Sequence, residues 1–368
     1  MAGTVNSTVS ANNGRNRRQP VVEQVSSGLW SIPVSWPGSP LSYTLAYLLS
    51  GRDGAVLVDT GWPTDEGWES LASGVGQAGH EITDIGHVLV THAHPDHIGM
   101  AARVRELSGA RVGMHPAEAD LVKRLRTASA LEGTAGWLRA RGAPADEAAE
   151  IVARISAAVA RYTRLALPDV LIDDGSLPVP GVALRAIWTP GHSPGHLCFY
   201  DEDRNLMLTG DHVLPRISPH IGLDGGDEAD SLHDYLGSLH ALTRYAPAEV
   251  LPAHEFRFTG LGERVTELLA HHQVRLAEIE HAVAAEPGAS TWRIAELLSW
   301  SRGWAQTTGT ARRAAVSETL AHLAYLRGEH RVVNSGRPKG AAHGVDAWLP
   351  GPRAAAGYRL ANAAGTDG

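Results

Sequence analysis

The sequence predicts an α/β fold over roughly residues 25–255, followed by a smaller helical part. Three observations predict it. Short apolar runs bounded by turn residues alternate with helical patterns through the first two thirds of the chain. Beyond about residue 256 the apolar residues recur at helical spacing instead. Several of the early apolar runs stop at a histidine or an aspartate, so that polar side chains collect where strands end.

Taken in order, residues 1–20 are polar and read as a disordered tail. Strands are expected at 28–36, 43–50 and 55–60, with Arg52-Asp53-Gly54 as a hairpin turn between the last two. A helix over 64–77 precedes the apolar strand 86–91, which is followed by a helix over 97–108. After a strand at 110–116, residues 117–167 read as a helical insertion broken at Gly142 and Pro144. Strands resume at 169–174, 182–189, 196–201 and 205–211, the last two joined by the turn DEDRN. A helix near 230–244 and a strand at 249–254 complete an α/β domain of residues 21–258.

The stripe Val265, Leu268, Leu269, His272, Leu276, Ile279, Val283 opens a C-terminal domain at 259–335. Thr291 is the expected N-cap of its second helix. Val316, Leu320, Leu323 and Leu326 mark a third, with Gly328 as the expected C-terminal cap. Residues 336–368 are rich in Gly, Ala and Pro and are expected to be loose.

Bulk properties bound the function. The chain has 368 residues, enough for a sizeable core, and a formal charge of −8 from 40 acidic and 32 basic residues. That balance argues against a nucleic-acid surface. Lysine occurs at Lys123 and Lys339 alone, so individual arginines carry no special weight. One cysteine, Cys198, excludes an internal disulfide and a cysteine-rich zinc site, and it is expected to be a buried thiol. The N-terminal residues lack the apolar stretch of a secretion signal, and no run of about 18 apolar residues could span a membrane. A soluble cytoplasmic protein is expected.

The chemistry concentrates in VLVTHAHPDHIGM, residues 88–100, where His92, His94, Asp96 and His97 fall within six positions after an apolar strand. Imidazole and carboxylate are ligands for Zn, Fe or Mn. His92, His94 and Asp96 alternate and can point one way along an extended loop. His97 adjoins Asp96, so the two are expected to face a second point, and one segment could serve two metals. Four further strand ends carry Asp59 (LVDTG), His192 (TPGHSPGH), Asp211 (LTGDH) and His254 (LPAHE). Binding groups belong on such loops, fixed by a rigid scaffold.

In this order the segments resemble the metallo-β-lactamase superfamily, in its glyoxalase II-like branch. The resemblance covers about residues 25–255. It implies a four-layer αββα sandwich with two divalent metal ions at one edge, zinc first, with iron or manganese as alternatives. Carried over by position, His92, His94 and His192 would bind one ion, Asp96, His97 and His254 the other, and Asp211 would bridge. Asp59 would support the metal loop, and Asp96 would also orient a metal-bridging hydroxide. Asp at the bridging position, where many true β-lactamases have Cys, argues against antibiotic hydrolysis. STWRIAELLSW and ETLAHLAYLRGEHRVV are similar to the winged-helix appendage of β-lactamase-like protein 2 and its relatives, some of which cleave RNA.

The implied function is hydrolysis of a carbonyl substrate, a small-molecule thioester or ester. Alternatives are an endoribonuclease or other phosphodiesterase on the same metals, a lactonase, and a redox enzyme with iron. Arginine and glutamate nearly balance over 261–330, which disfavours nucleic acid and leaves packing or homodimerisation as the role of the appendage. Lactone-cleaving relatives often carry Tyr where this chain has Leu214. Among the remaining residues, His115 is expected to be structural, and His271 and His272 to lie on a surface or pack. His196 and His212 should hydrogen-bond, and His220 is a candidate to reach the pocket. Trp30, Trp36 and Trp62 are candidates to line the mouth, and 117–167 to cap it.

Overall fold

Two sheets lie face to face, and the alternation of side chains along their strands sets the layering. In the computed structural model the first sheet contains β1 (Glu23–Ser26), β2 (Leu29–Ser35), β3 (Tyr43–Gly51), β4 (Gly54–Val58), β5 (Ile85–Leu89), β6 (Arg111–Met114) and β7 (Val170–Leu171), in that spatial order. Pairing is antiparallel from β1 to β4 and parallel from β4 to β7. The second sheet runs β12 (Glu249–Pro252), β11 (Leu206–Gly210), β10 (Leu197–Asp201), β9 (Leu184–Trp188), β8 (Gly175–Ser176). The residues described are 20–52, 54–127, 133–159, 164–177, 179, 182–223, 230–336 and 344–354. Most of the two expected tails, and Asp53 of the expected hairpin turn, lie outside them.

Leu45, Tyr47 and Leu49 of β3 share one apolar cluster with Leu197 and Phe199 of β10, Leu206 and Leu208 of β11, and Leu251 of β12. Ala46 and Leu48, pointing the other way, pack with Leu71 and Val75 of α1 (Asp65–Gln77) and Val104 of α3 (Ala101–Ser108). On the far side Cys198, Met207 and Val250 pack against helices. Side chains alternate with period two, so each central strand feeds two cores, and the helix–sheet–sheet–helix order expected from the sequence results.

Local departures from expectation have visible causes. The helix expected over 97–108 is two helices, α2 (Pro95–Ile98) and α3, because the chain turns at Gly99 and Met100. A Cβ on Gly99 would lie 2.2 Å from the Pro95 carbonyl oxygen and 2.6 Å from Pro63, so only glycine allows this approach. The strand expected at 169–174 is cut short to the two residues of β7, and β8, just beyond it, belongs to the other sheet. Ser290, not Thr291, caps α9 (Thr291–Leu297), accepting from the Arg293 amide. α10 (Gly309–Gly328) runs through Gly328, and the left-handed residue beyond it is His330.

The insertion comprises α4 (Pro116–Leu125), α5 (Thr134–Ala140) and α6 (Ala145–Val159). Leu138, Ala148 and Ile151 from α5 and α6 pack with Trp292 and Ala295 of α9 and Val316 of α10. The apolar faces of α5 and α6 are thus spent on the C-terminal helices. The region after 258 is helical, as expected: α8 (Leu261–Ala285), α9 and α10, followed by the hairpin of β13 (Val332–Asn334) and β14 (Trp348–Pro350). Its core is continuous with that of the sandwich. Val265, Leu268, Leu276 and Leu323 share one cluster with Met207, Val250 and with Leu232 and Tyr235 of α7 (Ser231–Leu242). Among the described residues no helix is long and apolar enough to cross a membrane.

A shared core should melt as one unit. Calorimetry of the full chain is expected to show a single transition. Leu268→Ala, at a site 1% exposed, is expected to lower stability by about 2–5 kcal/mol without splitting that transition. Two resolved transitions, one untouched by the substitution, would refute this.

Candidate metal centre

All the motif residues sit at strand ends along one edge of the sandwich. Asp59 follows β4, His92 to His97 follow β5, His192 follows β9, Asp211 follows β11 and His254 follows β12. The loop after β5 carries His92 and ends at His94, which occupies the N-cap position of α2 with φ −68° and ψ 145°. Pro95 then fixes the first helical turn. The helical turn carries Asp96 and His97 together to a second point, beside the one that His92 and His94 share.

The eight expected residues come together as two clusters and a support. Three imidazole nitrogens meet in the first cluster. His92 Nε2 is 2.9 Å from His94 Nδ1, and His192 Nε2 is 3.1 Å from each of them. In the second, His254 Nε2 lies 3.2 Å from Asp96 Oδ2, and His97 Nε2 lies 3.5 Å from the same oxygen. Asp211 stands between them. Its Oδ1 is 3.3 Å from His254 Nε2 and 3.6 Å from His97 Nε2, while its Oδ2 is 3.6 Å from His192 Nε2.

This donor set fits metal ions. Nitrogens about 2.0–2.1 Å from a tetrahedral zinc stand roughly 3.3 Å apart, close to the separations of the first cluster. His97 Nε2, Asp211 Oδ1 and His254 Nε2 are buried and have no hydrogen-bond partner among the described residues. Unpaired buried polar atoms are costly unless something binds them. The electrostatics agree. Burial, then the neighbouring imidazoles, holds His92 well below the usual histidine range, and burial followed by His94 pushes His192 down to about 3. Both therefore present lone pairs. Against the cost of burial, the Asp211 and Asp96 carboxylates push His254 up to about 10 and raise His97. These carboxylates attract a proton to the second cluster, and a cation there would take the proton's place.

In four of the five rings the other nitrogen is held, as metal-binding histidines require. His97 Nδ1 donates to Asp59 Oδ2 at 2.8 Å, and the same carboxylate accepts from the Thr91 amide and hydroxyl. Asp59 adopts φ +58°, a left-handed conformation that aims its side chain back across the β5 end. His92 Nδ1 lies 3.0 Å from the Thr91 hydroxyl, His192 Nδ1 donates to the His220 carbonyl at 2.8 Å, and His254 Nδ1 reaches the Tyr43 carbonyl at 3.3 Å. Gly191 precedes His192 at φ +135°, where any side chain would strike the Tyr235 backbone.

Some expectations change. His196 hydrogen-bonds as expected, accepting from the Asp211 amide at 3.2 Å. His212 does not: neither ring nitrogen has a partner among the described residues, and the ring packs edge-on against Tyr235. His115 caps α4 and stacks on Trp188. His272 is buried and paired with His322, and Cys198 is a core thiol pushed up to about 12 by burial. Trp36 stacks on Trp62 at 4.8 Å and neighbours the His254 ring, whereas Trp30 packs into the outer core.

Sequence reasoning missed Glu118. This fully buried carboxylate on α4 accepts from the Ala93 amide at 2.6 Å and the Gly195 amide at 2.7 Å. It thereby ties the loop of His92 and His94 to the loop of His192. Nothing in the sequence distinguishes it from other helical glutamates. Glu118→Ala leaves two buried amides unpaired and is expected to cost about 2–5 kcal/mol in denaturant titration. Exposed Glu106→Ala should stay within about 0.5 kcal/mol. Equal stability of the two variants would contradict the assignment.

Comparisons with known proteins place this geometry. Residues 40–254, a span that includes all eight motif residues, match the family model described as the metallo-beta-lactamase superfamily. A metallo-beta-lactamase family protein of Thermus thermophilus superposes with a TM-score of 0.73 at 30% identity, covering 89% of this chain and 100% of that one. A beta-lactamase domain protein of Burkholderia ambifaria gives 0.71 at 26%, covering 89% and 94%. Among curated relatives, lactamase-like protein adaB of Aspergillus niger is 26% identical over 81% of this chain and 72% of its own length. The atrochrysone carboxyl ACP thioesterase of Aspergillus fumigatus is 27% identical over 66% of this chain, but that match spans 44% of the relative. The chain belongs to the metallo-beta-lactamase superfamily, whose members are generally hydrolases, and carries its His/Asp clusters able to bind metal ions.

Proposed function

We propose that the protein is a two-metal hydrolase of carbonyl substrates, in the manner of the glyoxalase II-like enzymes, with a thioester as substrate and zinc as the metal. The observation that carries this reading is the Asp211 carboxylate, whose two oxygens face two donor clusters at once. His92, His94 and His192 would hold one ion and Asp96, His97 and His254 the other. Ions so held supply Lewis acidity at the carbonyl and a water acidic enough to attack near neutral pH.

The chain's own residues supply the rest. Against burial, which alone would raise it, His97 and His254 hold the Asp96 carboxyl well below its usual range, so it remains an acceptor able to orient the attacking water. Asp59, Thr91 and the Tyr43 and His220 carbonyls fix the ring orientations, so little reorganisation accompanies reaction. The Trp36–Trp62 stack beside His254 offers an apolar wall for the acyl group. A thiolate departs without a proton, so a thioester asks no general acid of the chain. The similarity to the atrochrysone carboxyl ACP thioesterase of Aspergillus fumigatus supports the same choice. The C-terminal region is read as a brace for the site.

The test is a screen of thioesters, lactones, phosphodiesters and β-lactams on protein of measured metal content. Thioesters are expected to turn over fastest. A phosphodiester preference would favour the endoribonuclease reading, and a lactone preference the lactonase. Chelation should abolish turnover and zinc restore it. His94→Ala and Asp211→Asn are each expected to lower kcat/KM by more than about 100-fold, beyond the 10–100-fold typical of losing a ligand's hydrogen-bond partner. Undiminished turnover by either variant would refute the site.

A further inference from the structure

The Nδ1 partner of His192 hangs on a distant element. His92 and His97 are supported by Thr91 and Asp59, at the ends of the central strands β5 and β4. His254 is supported by Tyr43, at the start of β3. His192 instead donates to the carbonyl of His220, in the stretch that leads away from Asp211. That stretch is fastened to α10. The Leu223 amide donates to the Ser317 hydroxyl at 2.9 Å, and His220 Nδ1 lies 3.6 Å from Glu318 Oε2.

The fastening is close and buried. Ser317 and Ile221 have no solvent exposure, and Leu223 has 4%. A Cβ on Gly222 would stand 2.6 Å from the Ser317 hydroxyl and 2.5 Å from His220 Nε2, so the loop lies directly on the helix. Earlier in the same stretch, Arg264 of α8 donates to the Leu214 and Ile217 carbonyls. α10 is itself anchored. His322 donates to the Glu318 carbonyl and meets His272 of α8, while Arg312 pairs with Glu147 of α6.

We propose that Ser317 and Glu318 are positioning residues of the metal centre. By fixing Leu223 and His220, they set the carbonyl that orients His192, and so tune the affinity of the first ion. This assigns the C-terminal helix a role in metal binding, and it rests on the two-metal reading above. Outer partners of ligating histidines typically contribute 10–100-fold to metal affinity.

The experiment titrates chelator-stripped full-length protein with Co²⁺, following visible absorption and bound metal. His192→Ala defines the spectrum of the second cluster alone. Ser317→Ala/Glu318→Gln is expected to melt like wild type and to bind the second-cluster ion unchanged. It should bind the first ion about 10-fold or more weakly. Glu329→Gln, exposed at the end of the same helix, should match wild type. If the double variant does not fold, Ser317→Ala alone carries the comparison. Wild-type affinity for both ions in the folded variant overturns the proposal. A wild type that binds no ion sensitive to His192→Ala overturns the metal reading instead.

Discussion

The structure depends on keeping two aspartates and five imidazoles together and largely out of water, with His94 and His192 half-buried. Any one of these groups alone would be expensive to bury. Asp211 makes the set tolerable, because its two oxygens face opposite clusters and give each a share of negative charge. The surrounding fold answers to this constraint. Strands from both sheets must end on the same edge, and each ring must present one particular nitrogen inward. The apolar sandwich between the sheets is what holds five separate chain segments to that tolerance.

The edge of the sandwich also explains why short-range pattern was so informative. A strand that ends in a polar turn leaves a local signature, and the ends after β4, β5, β9, β11 and β12 each did so. The layering was legible for the same reason, since period-two alternation survives in the sequence. What failed was set by contacts between residues far apart. The chain must be glycine at position 99, where the helix divides, because Pro63 and the Pro95 carbonyl come against it. The His212 ring nitrogens find no partner among the described residues, the Tyr235 ring lying edge-on to them. Glu118 and Ser317 act through backbone amides of remote loops, and a backbone amide has no residue identity to read.

The C-terminal region illustrates the same limit. Its helices were visible as stripes, yet a stripe does not say what covers it. Here Val265 and Leu268 cover the second sheet, while Val316 meets the insertion helices. The insertion and the C-terminal helices therefore complete one another.

Glu118 has a kinetic consequence. Its partners lie 25 and 77 residues away in sequence, one on the loop after β5 and the other on the loop after β9. Both amides can be satisfied only when the two sheets have already met. Contacts of such separation pay their loop-closure entropy before they return anything. The pocket of three imidazoles is therefore expected to be complete only once the two sheets are together, so a chain still assembling has no finished metal site.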